Sequence, residues 1–347
     1  MTIPTPRNSL VSFHYFRTYD LDRLAGLRLI GDSGAFSAAS QGVTITVKDL
    51  AGWARQWKHR LAWVASLDVI GDADGTRKNW HQMVDVHGIE AVPTIHFGAD
   101  PKTMDYYVER GVDFLGLGGL VGIKAQKDKQ LRWIVAMMRY ARDHHPQVRF
   151  HGWGVTAPAL LRAPFWSVDS SGWATGVIYG RLKVSDLRTG KDHTVRLNGK
   201  DVYRPEVAKI LREQYGIKPS EIATSSGANR VEVVRACALT ASVGEQRMRR
   251  MHGAITAPSW GARIVLDREP APAPDGPHVH LVAGAHGSNT QVDFLADGPH
   301  QHLASTSEPN LEQLAEQAAP ELHPNPKRLG RRGHVDGPHR KDTADVA

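Results

Sequence analysis

The chain predicts an α/β fold of the TIM type, a (β/α)8 barrel with a small hairpin and helical addition and a disordered C-terminal tail. Three observations predict it. Short apolar runs alternate with amphipathic stretches about every 25 to 30 residues, the spacing of parallel βα units. Four apolar runs stop abruptly at polar or glycine-rich ends: Ile30-Gly31-Asp32-Ser33-Gly34, Leu67-Asp68, Leu117-Gly118-Gly119-Leu120 and Val168-Asp169. Six to eight such units within about 250 residues suit a closed barrel better than an open doubly wound sheet.

Leu10–Phe16 has strand composition and opens the fold, followed by a helical turn over Asp20–Ala25 and a strand at Leu27–Ile30. Thr46 is an N-cap for a helix over Val47–Leu61, where Leu50, Trp53, Ala54 and Trp57 recur at helical spacing. Trp63–Leu67 is the next strand and ends at Asp68. Asp74-Gly75 leads into a helix through Trp80, Met83 and Val84 that Gly88 stops. Ala91–Ile95 is a strand despite Pro93 and delivers His96. A helix over Lys102–Glu109 precedes the Phe114–Leu117 strand, which enters Gly118-Gly119-Leu120-Val121-Gly122. Lys127–His144 is amphipathic, with Leu131, Ile134, Val135 and Met138 on the core side. Val148–Trp153 and Ser167–Asp169 are strands around a short helix at Ala157–Arg162, and Val177–Leu182 is a further short strand.

From Val184 the character changes. Asp192–Leu197 followed by Asn198-Gly199 has the pattern of a β-hairpin with an Asn-Gly turn. Arg204–Tyr215 and Asn229–Met251 are helices, the second ending in Arg247-Met248-Arg249-Arg250. Residues 1–256 thus form the barrel with its C-terminal helices. Over 257–347 the periodicity fades, apart from a weak helical stretch at Leu311–Ala318, and Pro, Gly, Ala, Asp and His dominate as in a flexible tail. Truncation there is expected to leave fold and activity intact. Asp-Gly-Pro-His recurs at 275–278, 297–300 and 336–339. It is a duplicated linker rather than a metal site, because ligands need a rigid frame.

Hydrophobic residues make up 41% of the 347, a proportion that supports a sizeable core. No apolar run reaches the length of a membrane span, and the first residues lack a signal-peptide segment. One cysteine, Cys237, excludes an internal disulfide and any multi-cysteine metal site. The expectation is a cytoplasmic protein with neither metal nor cofactor. A formal charge of +7 favours a polyanionic partner, and nucleic acid is the commonest.

Together the strand-end motifs resemble the tRNA-guanine transglycosylase superfamily, most of all its shorter phage-type relatives that act on DNA. The resemblance covers roughly residues 8 to 182. Gly31-Asp32-Ser33-Gly34-Ala35-Phe36 is similar to the family's Asp-Ser-Gly-Gly-Phe/Tyr-Gln block, with Ala35 and Ser37 as departures. Asp68 falls where the family has a base-recognising aspartate, and Gly118-Gly119-Leu120 resembles the block along which the bound base lies. Val168-Asp169-Ser170-Ser171 falls at the nucleophilic aspartate. The family's glutamine after the fourth strand is replaced by His96 or Phe97. The resemblance implies Asp169 as nucleophile and Asp32 as general acid/base. It implies Ser33, Asp68, His96, Gly118, Gly119 and Leu120 as base-binding residues. The implied partners are DNA and a free 7-deazaguanine base, with tRNA as the alternative polymer. The tRNA enzymes' zinc site of three cysteines and a histidine cannot be built from one cysteine, which favours the DNA branch.

The chemistry is consistent with that reading. Exchange of a nucleobase passes through an oxocarbenium-like transition state, with one carboxylate attacking the sugar and a second managing protons on the bases. Asp68 accepts hydrogen bonds from the N1–H and amine edge of guanine. Taken singly, each aspartate reads equally well as a capping or salt-bridged carboxylate. Two further readings are a catalytically silent, basic nucleic-acid-binding barrel and a metal-dependent hydrolase, the latter requiring His96, His151 and the aspartates to converge. Lys124, Lys127, Lys129, Arg181 and Lys183, extended by Arg247, Arg249 and Arg250, are the phosphate-holding candidates.

Overall fold

A computed structural model of the chain describes residues 3–120, 127–155, 157–224, 227–259, 300–304 and 308–318. Its strands are β1 (Asn8–Ser12), β2 (Arg28–Asp32), β3 (Leu61–Ala65), β4 (Ala91–Val92), β5 (Thr94–His96), β6 (Phe114–Gly118), β7 (Arg149–Gly152), β8 (Ser167–Ser170), β9 (Arg181–Ser185), β10 (Asp192–Arg196) and β11 (His300–Ala304). Nine of them form one parallel sheet in the order β4-β3-β2-β1-β11-β8-β7-β6-β5. The two outermost strands are neighbours in sequence, separated only by Pro93. Lacking an N–H, Pro93 breaks the ladder there, while its carbonyl accepts the Gly116 amide at 2.8 Å. The sheet is therefore nearly closed and barrel-like.

Period-two alternation sorts each strand's side chains between the barrel interior and an outer layer. Leu10, Ile30, Trp63, Val92, Phe114 and Trp166 pack together inside. Val11, Leu29, Val64, Leu115, Leu117 and Leu303 belong to the larger outer core beneath the helices. Those helices are α1 (Phe13–Phe16), α2 (Ala35–Ser40), α3 (Val47–Gln56), α4 (Ala73–His81), α5 (Thr103–Val108), α6 (Lys127–His144), α7 (Thr175–Tyr179), α8 (Pro205–Ile210), α9 (Pro219–Ile222), α10 (Arg230–His252) and α11 (Glu308–Ala318). Thr46 caps α3 as its sequence predicts, accepting the Asp49 amide at 3.1 Å. Trp53 and Leu50 of α3, Met83 after α4, and Ile134 and Met137 of α6 are buried in the outer core.

Four expectations are corrected. The stretch after residue 257 is not merely a tail. His300–Ala304 is β11, inserted between β1 and β8 in the middle of the sheet. Helix α11 follows, burying Leu311, Leu314 and Ala315, and its Glu312 meets Tyr19 and Arg23. The strand escapes sequence reading because its inward residues are histidines, which carry no apolar alternation. They fit because the interior is aromatic: His300 lies 4.5 Å from the Trp166 ring and 4.8 Å from His302. The remainder of 260–347 lies outside the described residues.

The hairpin exists, but β10 pairs backward with β9 across Asp186–Lys191, and Asn198-Gly199 follows it. The Asp186 carboxylate accepts from the Arg188 amide and the Thr189 hydroxyl, and Gly190 takes a φ of 75°, so this turn closes by side-chain bonds. Val177–Leu182 is accordingly split between α7 and β9.

The arginines of α10 lie away from the strand C-termini. Beyond α10 the chain crosses under the strand N-termini, where Thr256 accepts from Arg149 and Ser259 donates to Asp113. Arg247 pairs with Asp192, Arg249 with Glu245, and Arg250 donates to the Leu187 carbonyl. Ile255 and Ala257 plug the interior cluster from below.

Candidate active site

Parallel strands deliver their C-terminal residues to one mouth. β2 ends at Asp32, and β1 places Ser12 directly opposite it in register. The Asp32 carboxylate accepts the Gly34 amide at 3.0 Å, an Asx turn that bends the chain into α2. Gly34 has a φ of 74°, and a Cβ there would sit 2.6 Å from the Ser12 hydroxyl oxygen. Only glycine serves at this position. The Ser12 oxygen is buried without a hydrogen-bond partner of adequate geometry, close enough to favour the ionised Asp32 weakly. Desolvation dominates instead, reinforced by the charges of Asp169 and then Asp68, and pushes the Asp32 carboxyl up to about 7. Asp32 thus titrates where a general acid/base is most effective.

Asp169 reaches the same mouth from β8. Its Oδ1 accepts the Gly154 amide at 2.7 Å and lies 3.4 Å from His151 Nε2. The residue is 8% exposed. Asp68, on the loop after β3, lies 3.4 Å through Oδ2 from Nε2 of His96 at the end of β5. That contact raises the His96 pKa against the opposing effect of burial. Asp68 Oδ1 is buried with no hydrogen-bond partner, an unpaired acceptor whose desolvation a ligand donor would offset. Beside it a groove of about 360 Å³ runs between α2 and this loop, walled by Ala35, Ala38, Val43, Leu67 and Ile70.

The remaining expected residues divide. Gly118 pairs with His96 in register. Its carbonyl accepts the Phe97 amide at 2.9 Å. Gly119 turns the chain away at a φ of 71°. Leu120 is buried in the outer core, and its carbonyl accepts from Gln130 at 2.9 Å. Ser33 is buried, with its hydroxyl accepting the Ala35 amide at the start of α2. The glycines of β6 have a packing reason of their own. A Cβ on Gly116 would lie 2.2 Å from the indole nitrogen of Trp153, and one on Gly118 would lie 2.7 Å from Thr94. Trp153 crosses β6 over these gaps and donates to the Thr94 hydroxyl at 3.1 Å.

Two residues of this region, Ser12 and His302, escaped the sequence reading of the site, while His151 entered it only through the hydrolase reading. His151 had a signal, since it lies two residues before Trp153 at a strand end. His302 had none, because its strand is assembled from the far end of the chain. Among the described residues no three His, Cys, Asp or Glu side chains converge to hold a metal ion, and no helix is long and apolar enough to cross a membrane. No protein-family model matches this chain, and no curated protein or solved structure matches it.

Proposed function

We propose that the chain is a base-exchange glycosyltransferase that replaces guanine in DNA with a 7-deazaguanine, on a TIM-type (β/α)8 barrel. Counting β4 and β5 as one strand interrupted at Pro93 makes the barrel eight-stranded. The observation that carries the activity is the carboxylate pair at one mouth, with Asp32 desolvated and held protonated towards neutrality beside Asp169.

In this reading Asp169 attacks C1′ of the target nucleotide and the N-glycosidic bond breaks. Guanine leaves with the proton of Asp32 on its ring nitrogen. The incoming base returns a proton to the Asp32 carboxylate as its nitrogen displaces Asp169 from C1′. Two inversions retain the configuration, as in retaining glycosidases. The unpaired Asp68 Oδ1 and the apolar groove beside it suit the donor edge and flat faces of a guanine-like base. The target nucleotide must be extruded or single-stranded to reach the mouth. The formal charge of +7 supports a polyanion, and the single cysteine favours the zinc-free DNA branch over tRNA. The hydrolase reading loses its footing, since it needs a ligand cluster that the described residues do not form.

The test is incubation with DNA and with tRNA in the presence of labelled guanine or a 7-deazaguanine, followed by nucleoside mass analysis. Label or a 7-deaza-2′-deoxyguanosine in DNA is the expected result. Incorporation into tRNA alone would move the activity to the alternative polymer. Salt-dependent binding with no exchange on either would leave a silent nucleic-acid-binding barrel.

A further inference from the structure

We infer that His151, held by Ser167, is the positioning residue that aims the Asp169 carboxylate into the barrel mouth. The inference rests on the base-exchange reading for what that carboxylate attacks. The register of β7 and β8 pairs His151 with Ser167. Ser167 and Asp169, two residues apart on one strand, point to the same inner face. His151 Nδ1 lies 2.7 Å from the Ser167 hydroxyl, and Nε2, buried without a hydrogen bond of its own, lies 3.4 Å from Asp169 Oδ1. Both His151 and Ser167 are fully buried.

Electrostatics selects one arrangement of protons. With the Ser167 hydroxyl donating to Nδ1, the ring proton sits on Nε2 and faces the carboxylate. The other tautomer would turn a lone pair towards an anion. Burial lowers the His151 pKa, while Asp169 alone raises it, so the ring stays a neutral donor. A neutral donor orients the carboxylate without pairing off the charge that makes it nucleophilic. The Gly154 amide donates to the same Oδ1, which leaves Oδ2 with no partner among the described residues. The ring cannot swing away: Trp153 lies 4.2 Å from it, Trp63 5.0 Å and His302 5.9 Å between centroids. Asp169, Ser167 and His302 are the titratable or hydroxyl groups that face it, from β8 and β11.

The arrangement is tested with His151→Leu, His151→Gln and Ser167→Ala, each checked for folding by circular dichroism. Carbon-13 NMR of labelled aspartate carboxyls at fixed pH follows the surroundings of the Asp169 carboxyl, assigned with Asp169→Asn. Loss of the donor in His151→Leu is expected to shift the Asp169 carboxyl resonance. It is also expected to lower kcat for guanine exchange about 100-fold with KM within about threefold. Gln, whose amide can still donate, is expected to restore most of both, and Ser167→Ala to move both in the direction of Leu by less. If His151→Leu does not fold, Ser167→Ala and His151→Gln still decide. An Asp169 carboxyl resonance unmoved in the folded Leu and Ala variants, or a Gln variant as impaired as Leu, overturns the assignment. A wild-type protein that exchanges no base on any polymer defeats the base-exchange reading alone, because the carboxyl resonance still reports whether His151 and Ser167 position Asp169.

Discussion

Asp32 and Asp169 share a mouth but not a role, and their surroundings explain the division. Asp169 accepts the Gly154 amide on Oδ1, with the His151 ring nitrogen 3.4 Å from the same oxygen, while Asp32 accepts a single amide and bears the repulsion of two carboxylates. Asp169→Asn should lower base exchange by about 10³-fold or more, because an amide does not form the glycosyl-enzyme; trapping of the covalent adduct on a denaturing gel checks it. Asp32→Asn should keep adduct formation detectable while blocking turnover. The same variant carries a stability signature. The folded Asp32 carboxyl titrates near 7 against an ordinary value of 3.8. It therefore costs stability as pH rises from the lower value through the higher, and the cost is constant above it. Asp32→Asn should raise the melting temperature at pH 8, by the equivalent of about 1–3 kcal/mol, and leave it unchanged at pH 3.5.

At the scale of the element, β11 decides most. It fills the sheet between β1 and β8, and Trp173 donates to its last carbonyl at 2.8 Å. Deleting residues 300 to 347 should abolish cooperative unfolding, read by thermal melts, because the sheet would open along two unpaired edges and expose an aromatic interior. The strand also adds an acid sensitivity. His302 is buried with neither ring nitrogen in hydrogen-bond geometry, and burial, then His300 and His151, holds its pKa well below 6.5. Such a group supports the fold fully above the ordinary histidine pKa, and that support falls as the unfolded chain protonates below it. His302→Leu should accordingly flatten the loss of stability between pH 6.5 and 5, measured by urea unfolding.

Over the whole molecule, the distribution of basic groups matters more than their number. Lys127 and Lys129 are exposed at the start of α6, which follows the C-terminal end of β6, and Arg181 is exposed at the start of β9, just after α7. Arg249 and Arg250 stand near the opposite end with internal partners, Lys183 is paired with Asp192 at 3.6 Å, and Lys124 lies outside the described residues. Charge reversal at Lys127, Lys129 and Arg181 should weaken binding to single-stranded DNA and lower the slope of log K against log salt by about one per lost phosphate contact. Reversal at Arg249 and Arg250 should leave that slope unchanged. Fluorescence anisotropy across a salt series separates the two sets.

Local rules made much of this protein legible from its residues. The βα rhythm, the Thr46 cap, the Lys127–His144 helix and the strand-end aspartates are short-range signals, written in apolar periodicity and turn chemistry over a few residues. They were sufficient to bring Asp32, Asp68 and Asp169 to one edge. Tertiary structure alone decided the rest. A strand whose inward residues are His300 and His302 has no hydrophobic alternation, and only an aromatic interior made by distant strands gives those rings a place. The turn of the β9–β10 hairpin was settled by the Asp186 side chain rather than by the Asn-Gly pair downstream. The Gly116 and Gly118 gaps exist because Trp153, from the next strand, must cross them. For the strand and for the glycine gaps the deciding partner is remote in sequence, so no local pattern carries the information; the Asp186 turn is itself a local signal that the Asn-Gly pair outweighed in the sequence.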